Sequence, residues 1–196
     1  VLARDAGNLV HVDEVIVGHG VGASGNIGRL ATLTAHFPQA VPAYTVDMQC
    51  GSGLEALTIA AAKIRSGQAD LIVAGGVDSS STAPRRAYNR NHPDYERYGG
   101  EESFYSVAKF APGEHDPYAM IRGAERVALD VQMTRQELNK WVLRSHSLAK
   151  QAREAGVLEP YLVGVQGATA DAGIRDRISE RFLDKLPPLL PDGAIL

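Results

Sequence analysis

An α/β fold is predicted by three observations. Two short segments rich in β-formers, residues 12–17 and 43–48, each lead into a segment of helical composition. A third strand-like run, residues 71–74, follows the second helical segment, and glycines stand at the joints. Strands alternating with helices form parallel sheets, because a parallel pair needs a long crossover that a helix can supply. At 196 residues, 44% of them apolar, the chain is long enough for one large domain or a core with an inserted subdomain.

In order, residues 12–17 (VDEVIV) read as a turn and a buried strand, and residues 18–25 (GHGVGASG) as a glycine-rich loop. Residues 26–37 read as a helix stopped by Pro38. Residues 43–48 mix Tyr44, Thr45 and Val46 into a buried strand. Residues 54–65 favour helix and are apolar on most faces, so this helix is expected to be buried, with Gly67 closing it. Residues 71–74 are the next strand, ended by Gly75 and Gly76. Pro84 marks the exit from this core. Residues 85–117, rich in Tyr, Asn, Arg, Gly and Pro and without period, open an insertion. A helix then runs from Met120 to Leu129. Thr134 and Glu137 have capping-box spacing, with Met133 and Leu138 placed as a hydrophobic staple. Behind them Leu138, Trp141, Val142, Ser145, Leu148, Ala149 and Ala152 recur at helical spacing until Gly156. Residues 161–165 read as a strand, and residues 172–189 hold a short helix that ends at Lys185.

The formal net charge of −3 offers no broad basic surface, which argues against nucleic acid and anionic membrane as partners. Arginines and tyrosines interleave in residues 85–117, but Asp94, Glu96, Glu101 and Glu102 dilute that charge. A single cysteine excludes an internal disulfide and a cysteine-based zinc cluster, fits a reducing compartment and points to the cytoplasm. No apolar run has membrane-spanning length and no signal peptide is visible at the amino end. The beginning at Val1 and the ending in GAIL read as cuts through a larger protein.

Cys50 is the chemical centre. It lies between the second strand and its helix in the order Gln49, Cys50, Gly51, Ser52, Gly53. Unpaired amides and the positive end of the dipole at a helix start favour an anion, hence a thiolate. Gly51 and Gly53 keep side chains away from an approaching ligand and permit the sharp turn of a nucleophile elbow. The competing reading is a small buried hydrophobe, which is what most isolated cysteines are. The loop residue His19 is a candidate base for a Cys50 hydrolase, against a plain loop histidine. The loop glycines suggest a phosphate cradle only weakly, since the Walker lysine and the full dinucleotide spacing are lacking.

Residues 41–76 resemble the thiolase family, whose nucleophile lies in an Asn-x-x-Cys-Gly-Ser-Gly signature followed by an alanine-rich helix and an Ala-Gly-Gly strand end. The resemblance extends to VDEVIVG with Asn26 and Arg29 in the helix after it, and to GHGVGASG as an interface loop rather than the family's later Gly-His-Pro motif. The Asp116, Pro117, Met120 element and residues 134–156 also match. One departure is Asp47 in place of the signature Asn; a carboxylate close to the thiol would disfavour the thiolate. A second is Ile121 where the family has glycine after Met120, and a third is Phe182 where some relatives have a small hydroxyl residue.

The resemblance implies a thiolase-like layered α/β half with an inserted, mainly helical loop domain. Residues 1–83 would be the amino-terminal core without its first strand, 84–189 the loop domain and 190–196 a return to the core. It implies acyl transfer with Cys50 as catalytic nucleophile, Met120 in the wall of the acyl site and Arg175 on coenzyme A; ordinary core packing and surface charge compete for the last two. It implies acyl-CoA and CoA as substrates and partners, no metal and no organic cofactor, and a homodimer or homotetramer. The activating histidine and a second cysteine belong to the family's other half. Two alternatives stay open: a non-catalytic CoA-binding or assembly protein, kept alive by Asp47 and Phe182, and a ketoacyl synthase-like condensing enzyme.

Overall fold

The computed structural model describes residues 11–22, 25–98, 100, 112, 116–165, 167–190 and 193. The chain divides into two compact units, Val1–Ala108 and Lys109–Leu196.

Among its described residues, the first unit holds a three-stranded parallel sheet with a helix on either face. Strands β1 (Glu14–Gly18), β2 (Ala43–Val46) and β3 (Ile72–Gly76) lie in the order β2-β1-β3, with Ile16 opposite Tyr44 on one side and Ala74 on the other. Helix α1 (Ile27–Thr34) joins β1 to β2, and α2 (Ser52–Arg65) carries the chain from β2 over β1 to β3. Because strand side chains alternate, β1 feeds two cores. Val15 joins Val12, Val41, Phe37 and Val73 on one face; Ile16, with no exposed surface, meets Ala56 and Ala60 of α2 on the other.

Side chains fix the connections. The Asn26 side chain accepts from Arg29 N–H as the N-cap of α1 and donates to Ala43 O at 2.8 Å, so one residue starts the helix and holds β2. The Arg29 guanidinium donates to the carbonyls of Val41 and Gln39 at 2.6 and 2.9 Å. The helix ends at Thr34, earlier than Pro38 suggests, because His36 turns left-handed at φ 60° and the N–H of Phe37 returns to Thr32 O. The Asp13 carboxylate accepts from the N–H groups of Asp70 and Leu71 at 2.7 and 2.9 Å, joining the start of β1 to that of β3.

Hydrogen bonds from the Leu71 and Asp70 amides hold the Asp13 carboxyl below its ordinary value of 3.8. A depressed carboxyl contributes stability above the unfolded value and loses it as pH falls through the folded one. Asp13→Asn is therefore expected to melt below wild type at neutral pH, with the gap closing as pH drops below 3.8. Thermal unfolding of both proteins across that range checks this; a gap that persists in acid refutes it.

Helix α2 departs from the expectation of burial. Ser52, Ala56 and Ala60 are buried, whereas Leu54, Leu57 and Ile64 are exposed. Its small residues face the sheet at helical spacing with Ile59 packed beside them, and Leu54, Leu57 and Ile64 are turned to the outside.

In the second unit α3 (Ala119–Asp130), α4 (Arg135–Glu154) and the single turn α5 (Glu180–Leu183) are helical. The capping box forms in full: Glu137 N–H donates to the Thr134 hydroxyl, and Thr134 N–H to the Glu137 carboxylate. The periodic stripe does not make the core of α4, where Trp141, Val142 and Leu148 are exposed and Asn139 is buried, donating to Asp184 at 2.8 Å. Arg135 reaches the Leu183 and Leu186 carbonyls, and Leu138 and Val142 line the cleft beside them, so polar and apolar residues of α4 both face α5. No strand forms at residues 161–165. A 3-10 turn at Glu159–Tyr161 precedes an isolated bridge between Val165 and Ala168, where Gly167 at φ 85° folds the chain back on itself. No helix among the described residues is long and apolar enough to cross a membrane.

Candidate active site

Three glycines bring the strand ends against the start of α2. A Cβ on Gly18 would lie 2.3 Å from the Ser52 carbonyl carbon and 2.5 Å from Gly53 N. One on Gly76 would lie 3.1 Å from Gly53 Cα. The helix thus begins directly over the ends of β1 and β3, at a depth that only missing side chains allow.

Cys50 is exposed and sits in the 3-10 turn Gln49–Gly51 that leads into α2. The buried-hydrophobe reading is thereby set aside. The sharp turn falls on Gln49, at φ 54°, rather than on the flanking glycines; Gly51 has an ordinary φ of −86°. The Asp47 carboxylate accepts from Gln49 N–H at 2.8 Å, and the Ser52 hydroxyl donates to Gln49 O at 2.6 Å while accepting from Met48 N–H at 2.8 Å. Ser52 is 3% exposed, so the motif serine is a buried brace for the turn that presents Cys50. An Asn side-chain oxygen at position 47 would accept the same bond, so the Asp47 departure preserves this turn.

The glycine-rich loop is occupied by the protein itself. The Asp78 carboxylate accepts from the N–H groups of Gly20, Val21 and Gly22 at 3.2, 3.0 and 3.1 Å, which fills the place a phosphate would take. His19 Nδ1 donates to Val77 O at 2.5 Å and lies 3.1 Å from Asp78 Oδ1. Its ring covers Gly22, where a Cβ would approach it to 2.1 Å. His19 is a latch of the loop, and as a base it would have to leave these contacts. The sequence reading missed Asp78; the only signal was an acidic residue two positions beyond Gly76.

The other two candidates lie in the second unit. Met120 is 70% exposed on α3, contrary to a core role there. Arg175 is exposed, donates its backbone N–H to His146 Nδ1 at 3.2 Å, and lines an open cleft with Arg177, Ile178 and Phe182. Asp176 in the same cleft is paired with Arg153 of α4.

A layered parallel α/β unit with an exposed cysteine braced at a helix start defines a candidate nucleophile site. The sequence profile of the thiolase amino-terminal domain matches residues 2–193, and the chain belongs to the thiolase family. It is 35% identical over 188 residues to a protein of Staphylococcus aureus (strain MSSA476) named "Putative acetyl-CoA C-acetyltransferase VraB", covering 94% of this chain and 48% of that one. A protein of the same name from Staphylococcus epidermidis (strain ATCC 12228) is 36% identical over the same shares. The chain spans about half the length of these curated relatives.

Proposed function

We propose that the full-length protein transfers acyl groups between coenzyme A thioesters through an acyl-Cys50 intermediate, in acetyl-CoA condensation or 3-ketoacyl-CoA thiolysis. The observation that carries this reading is the exposed Cys50, presented by a turn that Asp47 and Ser52 brace at the first residues of α2. Membership of the thiolase family and the names of its relatives support it.

The Cys50 thiolate attacks the thioester carbonyl of acetyl-CoA, the carbon–sulfur bond to coenzyme A breaks, and coenzyme A thiolate leaves. In thiolysis the same sulfur attacks the ketone of a 3-ketoacyl-CoA; the bond between the second and third carbons breaks, and a proton completes the released acetyl-CoA. The backbone N–H of Cys50, at the helix start, would contribute to an oxyanion hole. The activating histidine and the second cysteine belong to the family's other half, which we place outside these residues. Coenzyme A enters as a substrate, with no resident metal or organic cofactor. Arg175 is assigned to its phosphates, since a guanidinium is charged at all working pH and forks onto oxyanions, and Met120 to the acyl wall. Residues 84–189 are taken as the inserted loop domain, and the working form as a homodimer or homotetramer.

The test is intact-protein mass measurement of the full-length protein after mixing with acetyl-CoA, followed by peptide mapping. An acetyl adduct on Cys50 is expected. A protein that binds coenzyme A yet stays unmodified with both acetyl-CoA and acetoacetyl-CoA overturns the proposal in favour of a binding protein.

A further inference from the structure

The Cys50 turn is braced from inside by Asp47 and Ser52, and a second support reaches it from outside. The 19–22 loop lies beside it: His19 N–H donates to Val46 O at 3.0 Å, and a Cβ on Gly20 would stand in ordinary van der Waals contact with Gln49, 3.5 Å from its O and 3.7 Å from its Cα. Gln49 is a non-glycine residue in the left-handed region, a conformation that persists only where its surroundings hold it. Gly20 in turn is held by Asp78. That carboxylate takes the three consecutive amides of residues 20–22 and stands beside the His19 imidazole, while Val77 N–H donates to Gly18 O at 3.0 Å.

We propose that Asp78 is a positioning residue for Cys50: by gathering the 19–22 loop it keeps Gly20 against Gln49, and so keeps the turn in the conformation that presents the thiol. Partial burial works against the Asp78 charge, but the Val21 and Gly20 amides, His19 and the Gly22 amide together hold its carboxyl below the ordinary value, so the anion persists at neutral pH. An amide side chain at this position has one acceptor oxygen and no charge, and its NH2 would face N–H donors. A glutamate retains both oxygens and the charge on a longer arm.

This inference rests on the reading of Cys50 as a nucleophile, and the experiment separates the two. Full-length wild type, Asp78→Asn and Asp78→Glu are compared in single-turnover acetylation of Cys50 across acetyl-CoA concentrations, in alkylation of Cys50 by iodoacetamide, and in unfolding midpoint. Asp78→Asn is expected to lower the maximal acetylation rate about tenfold at an unchanged half-saturating concentration, as loss of orientation does. Alkylation is expected to slow about threefold by the same loss of presentation. Asp78→Glu is expected to restore most of both rates. His19→Asn, which removes one partner of the carboxylate, is a second variant expected to be slower than wild type. Wild-type rates in Asp78→Asn and His19→Asn, whatever their midpoints, overturn the proposal, as does an Asp78→Glu protein as slow as Asp78→Asn. If wild type takes up no acetyl group, the acyl-transfer reading fails on its own. The alkylation rates then still decide: slowing with Asn and recovery with Glu uphold the positioning role, and equal rates overturn it.

Discussion

Gly18→Ala is expected to destabilise the full-length protein by about 3 kcal/mol or more and to abolish presentation of Cys50. The added methyl carbon would lie 2.3 Å from the Ser52 carbonyl carbon, 2.4 Å from its oxygen and 2.5 Å from Gly53 N, all backbone atoms. Unlike the end of a long side chain, backbone cannot swing aside. Relief requires α2 to lift off the end of β1, which would open the contact of Ala56 and Ala60 with Ile16. Lifting α2 also moves Ser52, whose hydroxyl braces Gln49. Urea unfolding of the variant measures the first effect and alkylation of Cys50 the second. A Gly18→Ala protein with a wild-type midpoint would show that the helix start is not seated on β1 in this way.

Cys50→Ser is the expected loss of function without loss of fold. The side chain is exposed, so removing sulfur should shift stability by no more than about 0.5 kcal/mol. Acyl transfer should fall by on the order of 10³-fold or more, because a hydroxyl is a far weaker nucleophile than a thiolate and no intermediate accumulates. Thiolysis of acetoacetyl-CoA by the full-length protein measures the rate, and intact mass the missing adduct. Wild-type turnover in Cys50→Ser would remove the cysteine from the mechanism.

Local signals carried much of this protein. The strands near residues 12–17, 43–48 and 71–74 announce themselves by composition, and the helices between them by propensity and stops. The Thr134 and Glu137 pair announces a helix start that forms with both reciprocal bonds. Patterning failed where it had to guess which surface a periodic stripe covers. Trp141 and Leu148 have core spacing yet are exposed, while the polar Arg135, Asn139 and Arg153 of α4 bond to segments later in its unit. Residues 161–165 have strand composition and no neighbouring strand among the described residues, because a strand is completed by a partner that its own sequence does not contain.

At the site, the sequence by itself determined that Cys50 stands at the entry to a helix behind a β-strand, since strand propensity, the motif residues and the alanine-rich run are all local. Tertiary structure alone decided what surrounds the cysteine's turn. Asp47 and Ser52 brace Gln49 from within the motif, and the 19–22 loop lies alongside. The glycine loop closes on Asp78, a residue 56–58 positions away. Gly18 and Gly76 are required because strand ends and helix start meet at backbone distance. The loop closure and the glycine contacts depend on chain segments brought together by a parallel crossover, and no window of sequence short enough to read for propensity contains both sides of such a contact.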